Sequence, residues 1–183
     1  ASLKSNRFLV AAIDFGTTFS SWACSFKDDY EKEPTKIIVK QWNIWYYFSR
    51  FKMALFKDRN LSRRTQIEDE FGKKMLAMKV ISLVIRYLKD DLQKELTSKI
   101  TCVFSFEEEI QWVLTVPAIW NDKARSFMRE AAIELLFHRP GIRNDRLLIA
   151  LEPEAASVYC RQIPLETNSS DGKLSIVPLC PGT

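Results

Sequence analysis

The stretch Ala12-Ile13-Asp14-Phe15-Gly16-Thr17-Thr18-Phe19-Ser20 decides how this 183-residue chain is interpreted. An apolar run over Phe8–Ala11 precedes it, and a second strand-like run over Ser21–Phe26 follows it. Two such runs with a short Gly-containing connection predict a β-hairpin. We therefore expect a strand, a tight turn and a second strand at the start of the fold.

The turn of this hairpin carries the residue types that hold a nucleotide phosphate. Gly16 allows backbone N–H groups to approach an anion closely, and the hydroxyls of Thr17 and Thr18 lie beside those groups. Asp14 ends the first strand and offers a carboxylate to a Mg²⁺ ion that keeps most of its water shell. An ordinary hairpin with Asp and Gly in its turn is the alternative explanation.

Three motifs, taken in order, resemble one family of nucleotide-binding proteins. The hairpin is similar to the first phosphate motif of the actin, hexokinase and heat-shock ATPase superfamily. The segment Trp112–Arg125, with its Thr-Val-Pro-Ala, and Leu148–Ala156, with its Glu-Pro-x-Ala-Ala, resemble segments of the DnaK-type seventy-kilodalton heat-shock chaperones. The sequences of Phe127–Ala132 and Leu151–Arg161 resemble those of an atypical branch of that family.

The resemblance implies an ATP site with Mg²⁺ and a role for each matching residue. It implies that Asp14 holds Mg²⁺ through water and that Gly16, Thr17 and Thr18 contact the phosphates. It also implies that Glu152 orders a water molecule and that Lys52 stabilises the γ-phosphate. Finally, it implies that Pro117 and Arg125 relay the nucleotide state to the surface of the domain. The match at Lys52 is a single residue in a weakly similar stretch, and a plain surface lysine is the alternative there.

Composition excludes several other classes of function. The chain is 46% hydrophobic with a net charge of +4, and its Lys and Arg residues are interleaved with Asp and Glu. We therefore expect one domain-sized core and no nucleic-acid partner. Because no window has the roughly 18 uncharged apolar residues of a membrane span, we expect no membrane partner and a cytoplasmic protein. His138 is the only histidine, and the four cysteines have no Cys-x-x-Cys spacing, which argues against a His or Cys metal site.

The segment after the hairpin predicts a short third strand and an aromatic stretch. Lys36–Lys40 follows the polar loop Lys27–Thr35 and has the composition of a strand. Gln41–Met53 is the most aromatic part of the chain and runs into helix-compatible residues. The family has a longer segment here, so the chain is expected to be internally shortened. The shortening predicts an exposed aromatic patch, for which a locally repacked helix is the alternative.

A long amphipathic helix is expected over about Lys73 to Thr97. It follows a polar loop, Lys57–Gly72, in which a hairpin remnant is an open alternative. The spacing of the apolar residues predicts a single face that packs on a sheet, made of Leu76, Val80, Leu83, Val84, Tyr87, Leu88 and Leu92.

The last part of the chain predicts a parallel strand-helix-strand-helix unit. The unit begins with an apolar strand over Trp112–Val116, followed by a helix that Asn121 or Asp122 caps and that runs to about Leu136. The next strand is Arg146–Leu151, and a second helix runs from Glu152 to Arg161. Ligands of open α/β sheets bind at the carboxyl ends of parallel strands. This places Pro117 and Glu152 beside Asp14.

The predicted fold class is α/β: an actin-like, ribonuclease H-like ATPase lobe with a mixed sheet, helices packed on it and an incomplete second lobe. We expect one partial nucleotide-binding lobe over 1–183, made of a phosphate hairpin and strand (1–40), an aromatic segment and long helix (41–100), the strand-helix unit (111–162) and a tail (163–183). A lobe that lacks the second phosphate loop is expected to bind ATP weakly and not to hydrolyse it at a useful rate. A protein-interaction module and a fragment that does not fold stably are the alternatives, and no oligomeric state is predicted.

Overall fold

The computed structural model describes residues 7–16, 19–43, 51–58, 60–69, 71–100, 105–106, 109–136 and 146–162. The strands are β1 (Leu9–Phe15), β2 (Phe19–Phe26), β3 (Ile38–Asn43), β4 (Gln66–Glu68), β5 (Lys74–Leu76), β6 (Ile110–Val116) and β7 (Leu147–Leu151). The helices are α1 (Lys27–Lys32), α2 (Phe51–Lys57), α3 (Ala77–Lys99), α4 (Asp122–Leu136) and α5 (Glu152–Cys160).

The main sheet has five strands in the order β3-β2-β1-β6-β7. β2 is antiparallel to both of its neighbours, β1 and β3, whereas β6 is parallel to β1 and β7 is parallel to β6. The predicted α/β class, with a mixed sheet and packed helices, is therefore confirmed. Because β1, β6 and β7 are mutually parallel, their carboxyl ends meet at one edge of the sheet, where α/β folds bind ligands.

The core lies between one face of this sheet and helices α3 and α4. Alternate residues of β1 are buried, as are Trp22 on β2 and Trp112 on β6. The indole Nε1 of Trp22 donates a 2.8 Å hydrogen bond to Asp91 on α3, which attaches the helix to this face. The hydroxyl of Ser82 on α3 donates to the carbonyl of Ala131 on α4 at 3.3 Å. Apolar burial on this face provides the main stabilisation of the fold.

Residues Lys27–Lys32 form a short helix, α1, and the prediction of a polar loop there was wrong. The backbone N–H of Lys27 donates to the carbonyl of Phe8 at 3.0 Å, which fixes the end of β2 against the start of β1. Asp28 and Asp29 then occupy the first turn, where acidic side chains interact favourably with a helix N-terminus. Lys36 forms a 2.8 Å ion pair with Asp29, so the loop that follows folds back on the helix.

The long helix begins four residues later than predicted, because a hairpin precedes it. β4 pairs with β5 in antiparallel register, with Glu68 opposite Lys74 and Gln66 opposite Leu76. Gly72 has a φ of +80°, a conformation that glycine adopts without strain, and it makes this turn possible. The hairpin that the sequence left open is thus present, and helix α3 starts at Ala77.

The buried face of α3 is rotated away from the predicted one. Leu83 and Tyr87 were assigned to the core but are 47% and 43% exposed, and Leu76 precedes the helix and is 43% exposed. The side chains that the sheet and α4 bury are Ala77, Met78, Val80, Ile81, Ser82, Val84, Ile85, Leu88, Leu92 and Leu96. The helix has apolar side chains around much of its circumference. The spacing of these side chains is therefore compatible both with the predicted core-facing side and with the side that is buried in the structure.

The predicted strand-helix-strand-helix unit is present with small shifts at its ends. Asn121, rather than Asp122, caps α4, because its Oδ1 accepts a 2.9 Å hydrogen bond from the N–H of Ala124. Phe127 and Ala131 lie on the apolar side of α4 and are buried. Pro153 occupies the first turn of α5, where its missing N–H leaves no backbone donor unpaired.

The opposite face of the sheet carries an apolar row that crosses all five strands. The pairing register aligns these residues in the order Leu148, Val113, Ala12, Ala23 and Val39. Val39 is 62% exposed and Leu148 is 52% exposed, so the ends of the row are open to water. We call these five residues the apolar row.

Several sequence predictions fall on residues outside the described ranges. They include the phosphate-contacting Thr17 and Thr18, the centre of the aromatic segment at 44–50, the only histidine at 138 and the tail at 163–183. The third strand is described and spans Ile38–Asn43, two residues later than the predicted start.

Candidate functional site

A cavity of about 670 Å³ opens at the carboxyl ends of the parallel strands. Its size falls within the range of typical small-molecule sites. Its walls come from the ends of β1 and β6, from helix α2 and from the start of α5. The lining residues are Asp14, Gly16, Lys52, Met53, Phe56, Thr115, Pro117, Ile119, Trp120, Glu152 and Ala155. Five of the predicted site residues thus lie around one cavity: Asp14, Gly16, Lys52, Pro117 and Glu152.

Asp14 lines this cavity, and a residue of the neighbouring strand β6 holds its side chain. Ile13 on β1 is opposite Leu114 on β6, so the next residues along, Asp14 and Thr115, lie side by side. The hydroxyl of Thr115 donates a hydrogen bond to Oδ1 of Asp14. This contact joins the two central strands at the point where the cavity begins.

The position of Gly16 requires glycine because there is no space for a side chain, and not because its φ angle is unusual. A Cβ added at Gly16 would overlap the carbonyl group of Phe19. The chain therefore folds back more tightly than any residue with a side chain would allow. Gly16 itself lines the cavity.

Lys52 brings a positive charge into the wall of the cavity. Its side chain is 9% exposed, and its ammonium donates to the carbonyl of Phe15 and, at 2.5 Å, to Oε1 of Glu152. A buried ammonium needs such partners, because its desolvation is otherwise costly. Lys52 therefore links the end of β1 to the first residue of α5.

The outer part of the cavity is apolar. Met53 and Phe56 project from α2, and Ile119 projects from the turn after β6. These side chains are 42%, 38% and 70% exposed, whereas Trp120 is only 4% exposed. The cavity wall thus combines charged groups with an exposed apolar rim of Met53, Phe56 and Ile119, a combination suited to a ligand with an anionic part and a flat or apolar part.

Pro117 and Arg125, predicted as a relay, differ in their position. Pro117 lines the cavity, and its carbonyl accepts a 3.2 Å hydrogen bond from the N–H of Trp120. Arg125 lies on α4 outside the cavity, and its guanidinium donates to the carbonyl of Ala118 at 3.2 Å. The two residues are connected through the backbone of this turn.

Sequence reasoning missed Thr115 and the apolar rim. Thr115 stands two residues before Pro117 within a motif that was already singled out, and only the strand register places it beside Asp14. Met53, Phe56 and Trp120 carried no signal of their own, because isolated apolar residues are usual in any fold.

The residues that are present fit a hydrated Mg²⁺ ion better than a metal with several protein ligands. Within the described ranges, no group of three or more His, Cys, Asp and Glu side chains is placed to hold a metal. Mg²⁺ commonly binds through one or two carboxylates, several waters and substrate phosphates. Asp14 meets this requirement at the end of β1, with Glu152 across the cavity.

Comparison with curated proteins identifies relatives of the chain. It is 33% identical over 197 residues to heat shock 70 kDa protein 12A of Mus musculus, an alignment that covers 86% of the chain and 29% of that protein. It is 34% identical over 198 residues to heat shock 70 kDa protein 12B of Homo sapiens, with coverages of 86% and 28%. The chain is a relative of heat shock 70 kDa proteins 12A and 12B. The resemblance inferred from its three motifs is confirmed.

The chain spans less than a third of the length of proteins 12A and 12B. The 197-residue alignment with 12A is also longer than the 183 residues of the chain, so 12A has residues within this region that the chain lacks. That difference agrees with the expected internal shortening.

Solved structures give only distant similarities. A type II variant of the Aquifex aeolicus Ppx/GppA phosphatase is 14% identical with a TM-score of 0.37, covering 79% of this chain and 36% of that chain. A second structure of the Aquifex aeolicus family member is 13% identical with a TM-score of 0.38, covering 84% and 40%. No protein-family model matches the chain. Among the described helices, none combines the length and the apolar composition that crossing a bilayer requires.

Proposed function

We propose that this chain is the nucleotide-binding lobe of an atypical heat-shock-type ATPase and that its cavity binds ATP with Mg²⁺. The observation that carries the proposal is the meeting of Asp14, Lys52 and Glu152 around one cavity, next to the tight return at Gly16. Two carboxylates, one ammonium and a closely approaching backbone are the groups that a metal-bound triphosphate needs. The kinship with proteins 12A and 12B agrees with this assignment.

Each side chain has a definite part in this proposal. Asp14 holds the hydrated Mg²⁺ through water, and the turn at Gly16, with Thr17 and Thr18, contacts the phosphates. The bound Mg²⁺ would neutralise phosphate charge. Lys52 would stabilise the charge of the γ-phosphate, and Glu152 would order a water molecule.

Hydrolysis is proposed to be slow in this chain by itself. Phosphoryl transfer depends on positioning and on neutralising charge from several sides of the phosphate. Among the described lining residues, Lys52 is the only cation. The chain therefore supplies a binding surface without a complete set of transition-state contacts.

The turn after β6 is proposed to relay the nucleotide state from the cavity to the surface of the domain. The protein is proposed to act in the cytoplasm. Pro117 touches the cavity, and Arg125 holds the carbonyl of the next residue, Ala118. A shift of Pro117 on ligand binding would thus be transmitted to the first turn of α4.

Isothermal titration of the 183-residue chain with ATP, with and without Mg²⁺, tests the proposed function. We expect saturable binding that Mg²⁺ strengthens well above its level in EDTA and that Asp14→Asn weakens at least about tenfold in the presence of Mg²⁺, by analogy with the loss of a group that supports metal binding. Asp28→Asn, on the exposed helix α1, is the matched control and is expected to bind like the unmodified chain. Absence of binding by a chain that unfolds cooperatively would refute the proposal.

The apolar row favours a second candidate function, a protein-interaction module. Its exposed ends, Val39 and Leu148, lie on edge strands of the sheet. Exposed apolar surface of this kind marks contact sites in many proteins. Association through the row would be independent of ATP and of Asp14, which separates this function from the first.

A further inference from the structure

Thr115 has the geometry of a residue that orients Asp14. It lies on β6, directly beside Asp14 on β1, and both residues line the cavity. Its hydroxyl donates to Oδ1 of Asp14, while the carbonyl of Ile13 is 3.5 Å away at the edge of hydrogen-bonding range. A threonine hydroxyl has one proton, and the short contact assigns that proton to Asp14.

The position of Thr115 makes this hydrogen bond a rigid one. Thr115 is half-buried within the register of β6, which pairs with β1 on one side and β7 on the other. A β-branched side chain has a restricted χ1, so its hydroxyl does not swing freely. The bond therefore comes from a fixed point on a central strand and not from a mobile loop.

The bond uses one carboxylate oxygen and leaves the other for a ligand. Within the part of the chain that the structure describes, Thr115 is the only side-chain partner found for Asp14. An ionised carboxylate accepts hydrogen bonds at both oxygens. With Oδ1 engaged by Thr115, Oδ2 remains to accept a hydrogen bond from metal-bound water.

We propose that Thr115 is a positioning residue for the Asp14 carboxylate and thereby sets the affinity of the site for Mg²⁺. This inference rests on the proposed function. Residues that orient a metal-binding group typically change metal affinity by 10- to 100-fold when they are removed. In this proposal Thr115 acts on the metal through Asp14.

Two substitutions at Thr115 separate its hydroxyl from its shape. Thr115→Val keeps the branched shape and removes the hydroxyl, and Thr115→Ser keeps the hydroxyl. The matched control is Thr65→Val, because Thr65 also donates to an aspartate, Asp58, at 2.9 Å but lies outside the cavity. Thermal unfolding of each variant reports whether the fold is intact.

The measurement is ATP affinity by titration calorimetry across a range of Mg²⁺ concentrations. We expect Thr115→Val to raise the Mg²⁺ concentration for half-maximal binding about tenfold, with the affinity for ATP in EDTA unchanged. Thr115→Ser is expected to restore the Mg²⁺ dependence, and Thr65→Val is expected not to change it. A structural role alone would instead weaken binding equally with and without Mg²⁺.

The outcomes distinguish this inference from the proposed function. If the unmodified chain binds Mg²⁺-ATP and Thr115→Val keeps the same Mg²⁺ dependence, the role of Thr115 is refuted while nucleotide binding stands. If Thr115→Val loses binding in EDTA to the same extent as in Mg²⁺, the role is also refuted. If the folded, unmodified chain binds no nucleotide, both proposals fall together.

Discussion

At the scale of single residues, the most informative contact is the ion pair between Lys52 and Glu152. The two ends of this pair differ in their access to water. The Lys52 side chain is 9% exposed, whereas the Glu152 side chain is 35% exposed. An ion that loses its partner is destabilising only to the extent that it stays buried.

This asymmetry predicts unequal effects of removing each partner. Glu152→Gln leaves a buried ammonium without its counter-ion and is expected to lower the free energy of unfolding by about 2 kcal/mol. Lys52→Met leaves a carboxylate that water reaches, and its apolar side chain fills the same space, so we expect a loss under about 1 kcal/mol. Urea unfolding measures both. A larger loss for Lys52→Met would contradict the assignment of Lys52 as the buried partner.

The buried thiol of Cys24 predicts how the stability of the fold depends on pH. Burial raises the pKa of its thiol to about 11, with the nearby Lys99 ammonium opposing that shift. Between pH 9 and pH 11 the unfolded thiol has lost its proton while the folded thiol keeps it. Stability contributed by the thiol is therefore complete below pH 9 and falls as pH rises, by at most about 1.4 kcal/mol per pH unit.

Urea unfolding at pH 8, 9.5 and 10.5 tests this dependence. Cys24→Ala is expected to flatten the fall relative to the unmodified chain, and Cys160→Ala, at an exposed position, is expected not to change it. Equal slopes for the unmodified chain and Cys24→Ala would show that the buried thiol does not contribute.

At the scale of elements, the spacing of apolar residues predicted the helix α3, whereas tertiary packing determined which of its residues are buried. Its apolar spacing identified a sheet-packed helix, which is correct. The residues that face the core were only partly identified, because the helix has apolar side chains on more than half of its circumference. The contacts with β2 and α4, through Asp91 and Ser82, select which of them are buried.

Two leucines of α3 form a matched pair for testing this orientation. Leu88 is 1% exposed and Leu83 is 47% exposed. We expect Leu88→Ala to destabilise the chain by about 2 to 5 kcal/mol through the cavity that it leaves. Leu83→Ala is expected to change stability by less than about 0.5 kcal/mol. Comparable losses in chemical denaturation would mean that the helix is rotated from the orientation described.

At the scale of the whole molecule, the sheet is covered unequally on its two faces. Helices α3 and α4 cover one face, and Trp22 and Trp112 are fully buried there. The other face bears the apolar row, whose ends at Val39 and Leu148 are exposed. Exposed apolar surface lowers solubility and binds hydrophobic dyes.

The apolar row therefore predicts dye binding by the folded chain. The double variant Val39→Lys with Leu148→Lys is expected to reduce the fluorescence of bound anilinonaphthalene sulfonate at least about twofold and to reduce self-association in sedimentation velocity. Leu83→Lys, at an exposed leucine on α3 outside the apolar row, is the control and is expected to leave both unchanged. Unchanged dye binding in the double variant would show that the row is not the exposed surface.

The amino-acid sequence by itself determined the hairpin, the order of the strands and helices in the last part of the chain, and the residue types of the candidate site. These features depend on local signals: the apolar run of β1, the glycine that the turn at Gly16 requires, the pair Asn121 and Asp122 before α4, and Pro153 at the start of α5. Tertiary structure alone decided the rest. The partner of Asp14, the burial of Lys52 and the orientation of α3 depend on contacts between residues far apart in the chain, which local patterns do not encode.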